Sequence, residues 1–184
     1  MTRPRLKRLL LASHVGLVAL LAGLLLATGA GMFQASVRAQ ARAEVAQVAL
    51  ETGWGRSTMR RDGGGSANNY FGIKATGGWQ GDRATHRTQE FSGGRMQSEV
   101  ASFRAYASPA ESFADYVRLL KTSPRYSEAV NSGGDGRRFA QSLQRAGYAT
   151  DPQYAAKLTA IAEGPTLRRA LAQLDGDATP ATRA

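Results

Sequence analysis

The chain has 184 residues, a formal net charge of +10 and no cysteine. That length suits one domain with an appendage, and the missing cysteine excludes a disulfide framework, a thiolate metal site and a cysteine nucleophile. The two histidines, His14 and His86, lie far apart in sequence, so a histidine-based metal site is not expected, and no RNP or zinc-finger pattern makes nucleic acid a partner.

Arg3, Arg5, Lys7 and Arg8 precede an apolar run at residues 9–33, LLLASHVGLVALLAGLLLATGAGMF, and no charged residue falls between Arg8 and Arg38. A helix needs about 20 apolar residues to cross a bilayer. The run therefore predicts a membrane span over residues 9–31, with the N-terminus cytoplasmic and residues after about 34 outside. A cleaved signal peptide is the alternative, because ATGAGM offers small residues for cleavage. Either reading exports the rest, to the periplasm or to the outer side of an inner membrane. Residues 1–34 are set apart as this segment, residues 35–163 as the main domain and residues 164–184 as a C-terminal helix and disordered tail. Beyond the first eight residues the chain carries 20 basic against 14 acidic residues, a balance of +6. This fits an anionic polymer as partner.

Residues 38–52 predict a helix, with Ala41, Val45, Val48 and Ala49 at helical spacing, stopped by Gly53 and Gly55. Glu51 stands in its last turn, against the negative end of the helix dipole, which typically costs a few tenths to about 1 kcal/mol. The window alone leaves two readings open: an ordinary surface residue, or one placed against local preference for a purpose. Residues 56–68 read as a polar, glycine-rich loop. HRTQEF, SGG and RMQSEVASFRAY then read as strand, turn and strand, with Glu90 at the end of the first strand. At residues 108–121, Ser108, Pro109 and Glu111 form a capping-box pattern, and Phe113, Tyr116, Val117 and Leu120 share one apolar face. Two short amphipathic helices follow at 136–146 and 151–162, then a helix over TLRRALAQL. Helices, a small β piece, then helices make an α+β pattern with the β piece inserted as a lobe.

Glu51 and Glu90, on two lobes with a groove between them, supply the layout that glycoside hydrolysis needs. One carboxylic acid protonates the leaving oxygen, and a second group stabilises charge, activates water or attacks. The helix end and the nearby Trp54 indole would both raise the Glu51 pKa, as suits a general acid. Trp54, Tyr70, Phe71, Trp79, Tyr106 and Tyr148 are the aromatics available to stack on sugars, although core packing is the commoner use of any one of them. Phe103, Phe113 and Phe139 are assigned to the core. Fourteen acids offer many pairs, so the pair alone points only weakly to this chemistry.

AQVALETGWGRS, NNYFGIKA, GGWQGD, TQEF, FRAYASPAESFADYVRLL, PRY and AGYATDPQYAAKL follow one another at short intervals over residues 40–162. Together they resemble the glucosaminidase domain of bacterial cell-wall hydrolases, glycoside hydrolase family 73, and in particular its flagellum-associated members. The resemblance implies a lysozyme-like fold, with a mainly helical lobe, a small β-hairpin lobe and a groove for a glycan strand. It implies endo-hydrolysis of the β-1,4 bond after N-acetylglucosamine in peptidoglycan, without a cofactor. It makes Glu51 the general acid, Glu90 the second carboxylate and Tyr148 a residue that lines the site and orients substrate. Asn69, Tyr70 and Phe71 match the motif expected to shape the groove wall, and Glu99 and Asp82 are the fallback acids. The partners implied are peptidoglycan glycan strands and flagellar rod components. The resemblance also implies a further helix or two before the catalytic one, so the domain reads as N-terminally short. A membrane-tethered peptidoglycan-binding or assembly protein with weak catalysis is the alternative.

Overall fold

The structure is a computed structural model and describes residues 32–76 and 78–177. The expected membrane span over residues 9–31 and the last residues of the tail lie outside these. Among the described residues no helix is long and apolar enough to cross a membrane.

Helix α1 runs Met32–Glu51, six residues longer at its start than the apolar spacing predicts. No glycine or proline stands between Gly31 and Gly53 to stop it. The expected apolar positions Ala41, Val45, Val48 and Ala49 are buried, and so are Ala43, Ala46 and Gln47. Residues 43–49 are buried on all sides of the helix, which makes this stretch the central element of its lobe. Its alanines let neighbours approach closely, and it packs against α4 (Gly136–Arg145) and α5 (Tyr154–Glu163). Gln47 is accommodated because its side-chain oxygen accepts a bond from the Tyr116 hydroxyl at 2.5 Å.

Helix α2, Pro109–Thr122, starts as its sequence predicts. The Ser108 side chain accepts from the Glu111 amide, with Pro109 in the first turn. The Glu111 carboxylate reaches the Ala107 amide at 2.9 Å instead of that of Ser108, so the reciprocal half of the box is shifted by one residue. Tyr116 and Leu120 are buried, while Phe113 and Val117 pack at the core edge. A 3-10 turn at Pro124–Tyr126 and a short helix α3, Ser127–Val130, follow. Helix α6, Pro165–Asp177, takes in the expected TLRRALAQL. The lobe's core is built around Phe71 stacked on Tyr116, ring centroids 3.8 Å apart and planes 5° from parallel, with Phe113 edge-on to Phe71 at 4.7 Å.

Strands β1 (Arg83–Ser92) and β2 (Arg95–Arg104) form one antiparallel hairpin, pairing Arg83 with Arg104 and Ser92 with Arg95. The two-residue turn is Gly93–Gly94, at φ of 59° and 79°, which is the twist a tight hairpin requires and glycine supplies. Lys74 adds a single bridge to Phe103, so residues 73–75 run along the outer edge of β2. A second, smaller core of Ala67, Ala84, Phe103 and Ala105 lies under the hairpin.

Candidate active site

The last turn of α1 sets the first carboxyl. Thr52 closes the helix by donating its hydroxyl to the Val48 carbonyl at 2.6 Å. Gly53, Trp54 and Gly55 then run through three successive positive φ values of 54°, 62° and 75°, turning the chain away sharply. Glu51 is left facing a groove of about 580 Å³ between the helical lobe and the hairpin. Gly72 borders it at φ +62°, and a Cβ there would come within 2.9 Å of a Glu51 carboxylate oxygen. A side chain at residue 72 would therefore displace the acid.

Burial pushes the Glu51 carboxyl up to about 7. The Tyr154 hydroxyl, donating to Oε1 at 3.2 Å, opposes this, and the negative Glu90 adds to it. Trp54, expected to contribute, packs against the helical core and does not line the groove.

Glu90 stands across the groove, near the tip of β1, as its strand position predicts. Each of its oxygens has a partner. Lys74 Nζ lies 2.7 Å from Oε1, and Thr150 donates its hydroxyl to Oε2 at 2.6 Å. Partial burial works upward on this carboxyl, but the two hydrogen bonds and the ammonium charge outweigh it and hold the group below the ordinary range. The Thr150 oxygen also accepts from the Phe91 amide at 2.9 Å. The loop after α4 thus fastens the hairpin to the helical lobe beside Glu90.

Tyr148 lines the groove with its ring among Tyr116, Tyr126 and Tyr154, and its hydroxyl donates to the Phe71 carbonyl at 2.6 Å. Burial raises its phenol well above the usual range. Phe71 borders the groove too, but its ring serves the core. The groove therefore gathers Glu51, Glu90, Tyr148 and Phe71 from four separate stretches of sequence.

Trp54, Asn69, Tyr70, Trp79 and Tyr106 stand apart from the groove lining. Asn69 is a buried strut, donating to the carbonyls of Ile73 and Arg104 and accepting from the Ile73 amide. Tyr70 is buried, its amide bonded to the Ser112 hydroxyl. Tyr106 donates to Asp115 at 2.7 Å and meets Trp79 edge-on, and the Arg104 guanidinium lies 4.8 Å above the Trp79 ring. That stack joins the β lobe to α2. Of the fallback acids, Asp82 pairs with Arg61 at 2.8 Å and Glu99 with Lys74 at 3.0 Å, and neither lines the groove.

Lys74, Thr150 and Tyr154 touch the two carboxyls, and nothing in their own residue type marks them in the sequence; the signal they carry is their place inside NNYFGIKA and AGYATDPQYAAKL. Among the described residues, no three His, Cys, Asp or Glu side chains gather to hold a metal ion.

The family described as glucosaminidase, mannosyl-glycoprotein endo-beta-N-acetylglucosaminidase, matches residues 29–167. A protein named peptidoglycan hydrolase FlgJ from Pseudomonas aeruginosa is 52% identical over 122 residues, 66% of this chain and 30% of the relative. Its namesake from Vibrio cholerae is 50% identical over 117 residues, 64% of this chain and 35% of the relative. The chain thus spans about a third of the length of these curated relatives. A solved structure of a peptidoglycan hydrolase mutant from Sphingomonas sp. A1 superposes with a TM-score of 0.68 at 41% identity, covering 76% of this chain and 93% of that one. Among the described residues six helices and a two-stranded hairpin form two lobes about a groove, a fold similar to that of this lysozyme-like hydrolase, and the chain belongs to the glucosaminidase family.

Proposed function

We propose that this chain is an exported peptidoglycan hydrolase, an endo-β-N-acetylglucosaminidase cleaving the β-1,4 bond after N-acetylglucosamine in the glycan strand. One observation carries the reading: Glu51, whose desolvated carboxyl is pushed up to about 7, faces Glu90, tied to Lys74 and Thr150, across a groove. Glu51 keeps its proton up to about neutral pH and gives it to the leaving glycosidic oxygen. Glu90, held ionised by Lys74 and Thr150, stabilises the developing positive charge or takes the proton of the attacking water. Either role needs it deprotonated. Tyr148 stiffens the wall by holding the Phe71 carbonyl. The productive state is Glu51 protonated with Glu90 ionised, so activity falls below the lowered Glu90 pKa and again above about 7.

The surplus of basic residues supports an anionic wall polymer as substrate. The basic N-terminus and apolar run support export and a membrane anchor. The likeness to proteins named peptidoglycan hydrolase FlgJ supports flagellar rod components as partners.

The test is Glu51→Gln, which keeps the shape and removes the proton. Incubated with peptidoglycan, the variant is expected to lose at least about 100-fold in cleavage while still binding glycan. New reducing ends, read by mass spectrometry, should terminate in N-acetylglucosamine. Cleavage by the variant at the normal rate removes the acid assignment. A folded wild-type protein that binds but never cleaves turns the reading to a wall-binding role.

A further inference from the structure

We propose that Lys74 is a positioning residue for the reaction: its ammonium, shared between Glu90 and Glu99, fixes the Glu90 carboxylate at the groove wall. This rests on the reading of Glu90 as the second carboxylate.

The register of the hairpin puts the three groups on one face. Glu90 pairs with Gln97, and Gln97, Glu99, Ala101 and Phe103 alternate onto the same side of β2. Lys74 bridges to Phe103, so it joins that side from the outer edge. Its backbone is held there because Ala75 donates to the Ser102 carbonyl at 2.8 Å and Arg104 to that of Ile73 at 2.9 Å. From this fixed root the long stem carries Nζ to 2.7 Å from Glu90 and 3.0 Å from Glu99. Glu99 sits diagonally across the strands from Glu90, within reach of a long side chain. Without the ammonium, two carboxylates would face one another with nothing between them.

Other charges on the groove are engaged elsewhere. Arg104 is bonded to Asp115 at 2.7 Å, Asp151 to Lys157 at 2.5 Å, and His86 to the Arg60 backbone. Arg125 lies over the Tyr126 ring, and Arg87 reaches toward Ser98. Glu51 faces Glu90 from α1 with the same sign of charge. Among the described residues, Lys74 is the cation ion-paired with Glu90. Thr150 fixes the other oxygen but supplies no charge. Removing Lys74 therefore removes both one of the two struts that set the carboxylate plane and the positive charge that keeps it ionised.

The experiment uses Lys74→Met, which preserves the stem, with Lys74→Gln as a second neutral variant and Lys74→Arg as the charge-conserving one. The Glu90 side-chain carboxyl is titrated by carbon NMR, its signal assigned through Glu90→Gln. The pH profile of kcat/KM is measured in parallel on soluble glycan strands. In both neutral variants the Glu90 midpoint is expected to rise by about 1 pH unit or more, and the acidic limb of kcat/KM to rise with it. The fall should lie in kcat more than in KM, and Lys74→Arg should restore the limb. An unmoved Glu90 midpoint in a folded neutral variant overturns the proposal, as does a moved midpoint with an unmoved acidic limb. Near-normal cleavage by Glu90→Gln instead sinks the reading of Glu90 itself, which the titration identifies separately.

Discussion

A desolvated carboxyl just past the buried stretch 43–49 of a helix is expensive, and Glu51 shows how the expense depends on pH. Its pKa is about 7 in the folded chain against 4.5 for the free side chain. The folded state therefore binds a proton that the unfolded chain has already released between those values. Its stability is highest, as far as this group goes, below about 4.5, and is lost as pH rises toward 7 and above. At about 1.4 kcal/mol per unit the loss is up to about 3 kcal/mol. Glu51→Gln should then be as stable as wild type near pH 4.5 and more stable by up to about 3 kcal/mol at pH 8, measured by urea denaturation. An equal difference at both pH values would mean that the group is not desolvated. Tyr154 works the other way, since its hydroxyl favours the charged acid. Tyr154→Phe should move the alkaline limb of the pH–rate profile upward. Glu51 stands out in the sequence because a carboxylate at a helix C-terminus breaks a local rule, but that rule leaves its use open and only the motif resemblance assigns it one. Lys74 and Thr150 break none, and their meaning lies in contacts to Glu90 from 16 and 60 residues away in the chain.

At the scale of elements, what could be read was what is decided locally. The Ser108–Pro109 start of α2 and the SGG turn of the hairpin follow from a few adjacent residues, and both stand where the sequence puts them. The 3-10 turn and the four-residue α3 carry no such signal. They are held because Tyr126 and Ala129 are buried in the core. Trp79 and Tyr106 are available in the sequence as sugar platforms or as packing residues; in the structure Trp79 holds Arg104 over its ring, Tyr106 gives its hydroxyl to Asp115, and the two rings meet edge-on. Composition cannot separate an aromatic that stacks on a ligand from one that braces a lobe. Helix α4, packed against α1, depends on a cap that is local again: the Asp135 side chain accepts from the amides of Arg137 and Arg138 at 2.9 and 3.0 Å. Asp135→Ala should cost about 1 kcal/mol of stability, seen as a lower denaturation midpoint, with the pH–rate profile unmoved because the cap is remote from both carboxyls.

At the scale of the molecule, the two carboxyls sit on bodies of unequal firmness. The helical lobe is built on a large aromatic core that includes Phe71, Tyr116, Tyr126 and Phe139, all almost fully buried. The β lobe has a core of three alanines and one phenylalanine. At about 25 cal/mol per Å² of apolar surface buried, the smaller core contributes far less, so the hairpin is expected to open at a lower free energy than the helices. Thr150 fastens it across the groove through the Phe91 amide and the Glu90 carboxylate together. On the proposed reading, Glu90 depends on the fastened hairpin for its place at the groove, whereas Glu51 stands on the firmer lobe. Amide hydrogen exchange tests this. Amides of β1 and β2 should exchange through openings of lower free energy than those of α1 and α4, and Thr150→Val should speed exchange at Phe91 while leaving α1 unchanged. A glycan strand filling the groove should restore protection to the hairpin in both proteins. Equal protection of the two lobes in the free protein would instead make them one cooperative unit, with both carboxyls fixed before substrate arrives.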